Sequence, residues 1–177
     1  MASPVPALDG VAFDAETIRL RVGELARSIE RDYEGRLPLL VGVLKSSAIF
    51  LSDLARAIRV PVEFEILAIS SYTRAHQRGG GIRLETDASV PLEGRHLIVV
   101  EDVVDTGLTL QYVLRTLGAR LPASLAVCSL LDRPHRRIVD VPVRYRGFEI
   151  GDDFLVGYGL DYQEAYRHLP ELHRLLL

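Results

Sequence analysis

Leu97-Ile98-Val99-Val100-Glu101-Asp102-Val103-Val104-Asp105-Thr106-Gly107-Leu108-Thr109-Leu110 is the stretch from which the fold follows. An apolar run ends in two adjacent carboxylates. A third carboxylate comes three positions later, and Thr-Gly-x-Thr then opens a helical pattern. This order predicts a buried parallel strand, a short loop and a helix N-terminus. Open α/β sheets bind ligands beyond the C-terminal ends of their strands, and a helix N-terminus favours anions. The stretch therefore predicts one site that holds a phosphate beside a cluster of carboxylates.

The flanking sequence extends the same pattern. Before it, Asp14 can cap a helix, and Ile18, Val22, Leu25, Ala26, Ile29 and Tyr33 keep helical spacing, which predicts a helix over 14–33 closed by Gly35. The apolar run 37–44 predicts a strand covered on both faces, followed by Lys45-Ser46-Ser47 and a helix carrying Ile49, Phe50, Leu54 and Ile58. A second strand is predicted over 62–69. The polar segment 70–81, with Gly79-Gly80-Gly81, predicts a long loop that serves either as a lid or as a plain hairpin tip. Beyond the motif, Leu110, Val113, Leu114 and Leu117 give a helix with Gly118 as its C-terminal cap, and apolar strands follow over 124–131 and 141–148. Residues 1–13, with Pro4, Pro6 and Gly10, read as a loose arm, and residues 150–177 as a small hood. Strand-helix-strand alternation predicts a single α/β domain over 1–177: a mostly parallel twisted sheet with helices on both faces.

Composition narrows the function classes. The net charge of −3 gives no general bias toward nucleic acid. No apolar run is long enough for a membrane span and no signal pattern opens the chain, so the expectation is a soluble, cytoplasmic protein. The one cysteine, Cys128, lies in an apolar run and reads as a core thiol. Of 21 basic residues only Lys45 is lysine, so most arginines need no special account, while Lys45 does.

The chemistry of the strand end follows from its residue types. Adjacent Glu101 and Asp102 point to opposite sides of an extended strand, and twist near its end can turn both toward one ligand. Carboxylates repel phosphate, so they suit a ribose diol or a magnesium ion that bridges phosphates. Asp105 stands at the loop mouth, free to act as a base. Thr106, Gly107 and Thr109 supply hydroxyls and close backbone approach to a phosphate. The chain lacks a Gly-x-x-x-x-Gly-Lys-Ser/Thr loop, a Gly-x-Gly-x-x-Gly turn, a Gly-x-Ser-x-Gly elbow and zinc-ligand spacing among its five histidines.

Residues 99–109 closely resemble the phosphoribosyl-pyrophosphate motif of type I phosphoribosyltransferases. Val41-Gly42-Val43-Leu44-Lys45, Ser70-Ser71-Tyr72, Leu130-Leu131-Asp132-Arg133-Pro134 and the segment Phe154 to Tyr162 resemble the hypoxanthine(-guanine) branch of that family. The resemblance implies an enzyme of purine salvage that joins a 6-oxopurine to phosphoribosyl pyrophosphate, giving IMP or GMP and pyrophosphate with Mg2+. It implies Glu101 and Asp102 on the ribose hydroxyls and Asp105 on the purine N7 proton. Thr106, Gly107, Leu108 and Thr109 fall on the 5′-phosphate. Lys45, Ser46 and Arg167 fall near pyrophosphate, and Asp161 beside Glu101 and Asp102 on the metal side. Arg133, Phe154 and Leu155 fall on the purine, with Phe154 stacked on its ring. Ser71 and Tyr72 fall at the start of a lid. A homo-oligomer, dimer or tetramer, is also implied.

Three positions depart from the family pattern. Arg133 replaces a lysine that bonds the purine 6-oxygen, and its planar fork is not equivalent to an ammonium. Ser46 replaces a glycine in a loop that often holds a cis peptide. Leu108 fills a variable position. Two alternatives remain at the level of sequence: a phosphoribosyltransferase for another base, and a regulator of this fold that binds RNA through Arg133, Arg136, Arg137, Arg144 and Arg146.

Overall fold

The computed structural model describes residues 6–71 and 82–176. In chain order these form β1 (Leu8–Phe13), α1 (Ala15–Asp32), β2 (Leu39–Leu44), α2 (Ala48–Ala57), β3 (Glu63–Ser71) and β4 (Ile82–Thr86). Then come β5 (His96–Val104), α3 (Leu108–Gly118), β6 (Ser124–Asp132), β7 (Tyr145–Glu149), β8 (Leu155–Val156) and β9 (Leu172–Leu175). A sheet of order β4-β3-β2-β5-β6-β7 forms the body, parallel except for β4 against β3. A second, antiparallel sheet, β1-β9-β8, forms the hood.

The pleat divides the apolar side chains between two cores. Leu40, Ile98, Val100 and Cys128 join the buried faces of α1 and α2 and the hood residues Leu155, Tyr158 and Leu172. Leu39, Val41, Leu97, Val99 and Val127 join Leu110, Val113 and Leu117 of α3. Successive strand residues thus serve opposite layers, which is why β2 and the start of β5 are apolar without interruption. α1 begins as expected: Asp14 accepts a hydrogen bond from the Thr17 amide at 2.7 Å.

Several expected boundaries are corrected. Residues 8–13 are not a loose arm: β1 pairs with β9, with Val11 opposite His173. The segment 70–81 is not all loop, because β3 continues through Ser71 and pairs with β4, as in a hairpin. The expected lid residue Tyr72 lies outside the described residues. β5 does not end at Val100. It pairs with β6 as far as Val104 opposite Asp132, so Glu101 and Asp102 lie within a strand. Gly118 is the last residue of α3 rather than a left-handed cap, and the cap is Ala119. Residues 141–144 precede β7, which starts at Tyr145. Cys128 is fully buried in the core, and burial pushes its thiol pKa upward.

Candidate active site

The C-terminal ends of β2, β5 and β6 converge under the hood, and two adjoining hollows open there. The first, about 230 Å³, is lined by Glu101, Asp102, Asp105, Thr106, Gly107 and Thr109. The second, about 250 Å³, is lined by Ser46, Asp102, Asp105, Arg133, Phe154 and Asp161, with Leu155 also on its wall. Asp102 and Asp105 face both hollows, which makes them parts of one site. Leu108 does not line either: it is the first residue of α3 and its side chain is 44% exposed.

The first hollow has the expected anion-binding frame. Gly107 occupies a left-handed conformation (φ 84°) at the N-cap of α3 and has no side chain to cap it, while Thr106 Oγ1 accepts from the Leu108 amide only at a long 3.5 Å. A Cβ at Gly107 would meet the Val139 carbonyl oxygen at 2.5 Å, so the loop passes where only glycine fits. The first-turn amides have no intrahelical partner and suit an anion. Opposite them, Glu101 is only 7% exposed, and its pKa is raised well above the carboxylate range by burial and by the neighbouring Asp102 charge. Burial pushes Asp102 up to about 6. The amides of Val103 and Asp102 and the Arg167 charge pull it down, and Asp161 pushes it up.

The pair therefore stands short of positive charge, which fits a ribose diol or a cation. Among the described residues no three acidic, histidine or cysteine side chains converge into a protein-only metal cage. Magnesium does not require one, since it commonly binds one or two carboxylates together with substrate phosphates and water. Asp102, which faces both hollows, with Glu101 beside it in the first or Asp161 in the second, thus offers the one or two carboxylates that fit Mg2+ shared with a phosphorylated ligand.

In the wall of the second hollow a buried donor and a buried acceptor lack hydrogen bonds. Arg133 donates from Nη2 to the Asp153 carbonyl, while its Nε has no hydrogen-bond partner. Asp105 Oδ1 likewise has no hydrogen bond; Arg136 Nε stands 3.3 Å away as an ion pair without hydrogen-bond geometry. Phe154 is exposed at the rim and meets Tyr162 edge to face at 5.9 Å between centroids. It is a surface of the hollow, not a core side chain.

A cationic corner completes the site. The Leu44–Lys45 peptide is cis, one bond before the Lys45–Ser46 peptide to which the resemblance pointed. Gly159 passes so close that a Cβ there would lie 2.2 Å from the Ser46 carbonyl oxygen. Arg167 donates from Nη1 to Ser46 Oγ and to the Gly159 carbonyl, each at 2.8 Å, and pairs through Nη2 with Asp161 at 2.8 Å. Glu164 accepts from Lys45 Nζ at 3.2 Å and from Arg167 at 3.4 Å. Glu164, Arg136 and Arg137 are site residues that sequence reasoning missed. Glu164 could have been found from its place three residues before Arg167. Arg136 and Arg137 were visible only as part of a basic cluster. Four of the five arginines of that cluster are ion-paired, Arg136 with Asp105, Arg137 and Arg146 with Asp132, and Arg144 with Asp32, while Arg133 has no ion pair among the described residues.

Comparison with known proteins agrees with this geometry. Residues 13–163 match the model of the phosphoribosyl transferase domain. The chain is 46% identical over 174 residues to the hypoxanthine-guanine phosphoribosyltransferase of Mycobacterium avium, covering 95% of this chain and 86% of that one. It is 43% identical over 162 residues to the hypoxanthine phosphoribosyltransferase of Salmonella typhimurium, covering 90% and 91%. A crystal structure of a hypoxanthine-guanine phosphoribosyltransferase from Bacillus anthracis superposes with a TM-score of 0.91 at 39% identity, covering 96% of this chain and 100% of that one. No helix among the described residues is long and apolar enough to cross a membrane.

Proposed function

Given that the chain belongs to the phosphoribosyl transferase family, we propose that it is a 6-oxopurine phosphoribosyltransferase of purine salvage. It converts hypoxanthine, and guanine as well, with phosphoribosyl pyrophosphate into the nucleoside monophosphate and pyrophosphate. The observation that carries this reading is one hollow walled by Arg133, whose Nε lacks a hydrogen bond, by Asp105, whose Oδ1 lacks one and has the Arg136 charge beside it, and by Phe154. A 6-oxopurine offers a carbonyl oxygen to the first, an N7 proton to the second and a flat ring to the third. Buried polar groups left without partners cost about 1–3 kcal/mol each, so a ligand that satisfies both gains affinity and selectivity. Adenine carries a donor amine at its 6-position and would leave Arg133 facing another donor.

The roles of the remaining residues follow from the chemistry of glycosyl transfer, whose transition state has cationic character at the anomeric carbon. Glu101 and Asp102 accept from the ribose hydroxyls and stabilise that charge. Asp105 takes the N7 proton as the purine bonds through N9. Thr106, Gly107, the Leu108 amide and Thr109 hold the 5′-phosphate at the start of α3. Lys45, Ser46 and Arg167 receive the departing pyrophosphate, and Leu155 contributes its backbone to the purine edge. Asp102, with Glu101 or Asp161, would hold Mg2+, which would supply charge neutralisation to the departing pyrophosphate. Ser71 and Tyr72 open the segment assigned to a lid that excludes water from the reacting centre. The active species is a homo-oligomer.

The test is a base panel. Purified protein is mixed with Mg2+, phosphoribosyl pyrophosphate and hypoxanthine, guanine, xanthine or adenine, and nucleotide is measured. Hypoxanthine is expected to exceed adenine in kcat/KM by about 10³-fold or more, as sites built around hydrogen bonds discriminate. Failure to form nucleotide from any 6-oxopurine would refute the assignment.

A further inference from the structure

Resting on this reading of Asp105, we infer that Arg137 is the positioning residue that sets the Asp105 carboxylate and fixes the loop of the first hollow. Three consecutive carbonyls behind that loop accept hydrogen bonds from one segment, residues 133–139. Val104 O accepts from the Arg133 amide at 3.0 Å and from Arg137 Nη1 at 2.6 Å. Thr106 O accepts from the amides of Ile138 and Val139 at 2.9 and 3.1 Å. The middle one, Asp105 O, is reached from this segment by Arg137 Nη1 alone. With its carbonyls turned backward, the loop presents the Asp105 side chain and the Gly107 turn forward to the two hollows.

Arg137 is itself held in place. Its Nη2 pairs with Asp132 Oδ1; the Asp132 side chain is fully buried and that of Arg137 is 14% exposed. Asp132 ends β6 directly before Arg133, and its Ile150 partner opens the hood. One guanidinium thus ties the end of the purine-side strand to the backbone of the proposed proton acceptor. This task needs a planar fork with several donors at fixed angles, which lysine does not offer. An ammonium can satisfy Asp132 as a counter-ion, but it cannot hold Asp132 and two successive carbonyls in the same geometry.

The experiment compares wild type, Arg137→Lys and Arg137→Ala. Arg137→Lys keeps a charge against buried Asp132, so it decides the matter if Arg137→Ala does not fold. Expected for Arg137→Lys is a kcat lower by about 30-fold or more, the scale of a slightly misplaced reacting group, with KM for phosphoribosyl pyrophosphate within about threefold. That KM is spared because Ile138 and Val139 still hold Thr106. Millimolar guanidinium is expected to restore part of the turnover of Arg137→Ala, and equal sodium chloride is not. Amide exchange over residues 105–109 reads the same positioning without substrate, and is expected to quicken by about tenfold in Arg137→Lys. Wild-type turnover and wild-type exchange in Arg137→Lys would overturn the inference and leave Arg137 as a counter-ion of Asp132. Loss of activity with unchanged exchange over 105–109 would overturn it too. If the wild type itself forms no nucleotide, the functional reading fails separately, and the exchange result still decides the role of Arg137.

Discussion

Burying a carboxylate beside other carboxylates opposes folding, and Asp102 is in that position. Burial raises its pKa to about 6 from an ordinary value of 3.8, with Asp161 adding to the rise and Arg167 opposing it. The sign of the pH effect follows. Between about pH 4 and 6 the folded chain binds more protons at this site than the unfolded chain, so stability contributed there falls as pH rises. Above the folded pKa the full penalty persists. Asp102→Asn is therefore expected to raise Tm at pH 7.5 by a few degrees, about 2–6 °C, and to change it little near pH 4. The same substitution is expected to weaken protection by phosphoribosyl pyrophosphate and Mg2+ by about tenfold, since the ligand uses the carboxylate. Thermal melts at both pH values, with and without ligand, check this. A lower Tm at both pH values would show that the carboxylate stabilises the free fold. At this scale the sequence exposes Asp102 and Asp105 because their chemistry is adjacent along the chain, and Arg133 only through the resemblance carried by Leu130 to Pro134. It hides Arg137, whose partners at 104, 105 and 132 lie at the end of β5, in the loop after it and at the end of β6.

Secondary-structure elements were legible where one period governs a long run. The spacing of buried residues in α1 and α3 was readable because each helix packs a single face. β1 was not, because this six-residue strand on the rim of a small sheet has three half-buried residues, Leu8, Ala12 and Phe13, in no alternating pattern, and prolines before it. β5 was read too short because Glu101 and Asp102 interrupt its apolar run, and only pairing with β6 reveals that the strand continues. That continuation has a consequence for the loop after it. The chain must turn from β5 into α3 within Asp105, Thr106 and Gly107, and Gly107 takes the left-handed conformation that makes this possible. Gly107→Ala adds a Cβ against the Val139 carbonyl oxygen as well as the cost of a positive φ. The expected loss is about 1–3 kcal/mol, a fall in Tm of several degrees. KM for phosphoribosyl pyrophosphate is expected to rise by about tenfold or more while circular dichroism stays unchanged. An unchanged KM would remove this turn from phosphate binding.

At the scale of the whole molecule, hood and body are cut from distant parts of the sequence yet share one core. Leu155, Tyr158, Leu160 and Leu172 of the hood lie in the same buried cluster as Ile98 and Val100 of the central strand. The hood's outer strand, β1, comes from the start of the described chain, and Phe154 accepts a backbone hydrogen bond from Leu175 at 2.9 Å. The composition of residues 150–177 announced a hood but none of its strands, and β1 lay furthest from view, since pairing between residues about 160 positions apart leaves no local signal. A shared core predicts cooperative behaviour: hood and sheet should melt in a single transition. Leu172→Ala removes a fully buried side chain from β9, at an expected cost of about 2–5 kcal/mol. If the layers are coupled, this lowers the one Tm rather than splitting it, by roughly 2–4 °C per kcal/mol for a domain of this size. Scanning calorimetry checks the shape of the transition, with calorimetric and van't Hoff enthalpies expected to agree. Two transitions, with the hood melting first, would mean that Phe154, Asp161 and Arg167 belong to a separately folding cap. The base side of the site could then open without loosening Glu101, Asp102 and the Gly107 turn.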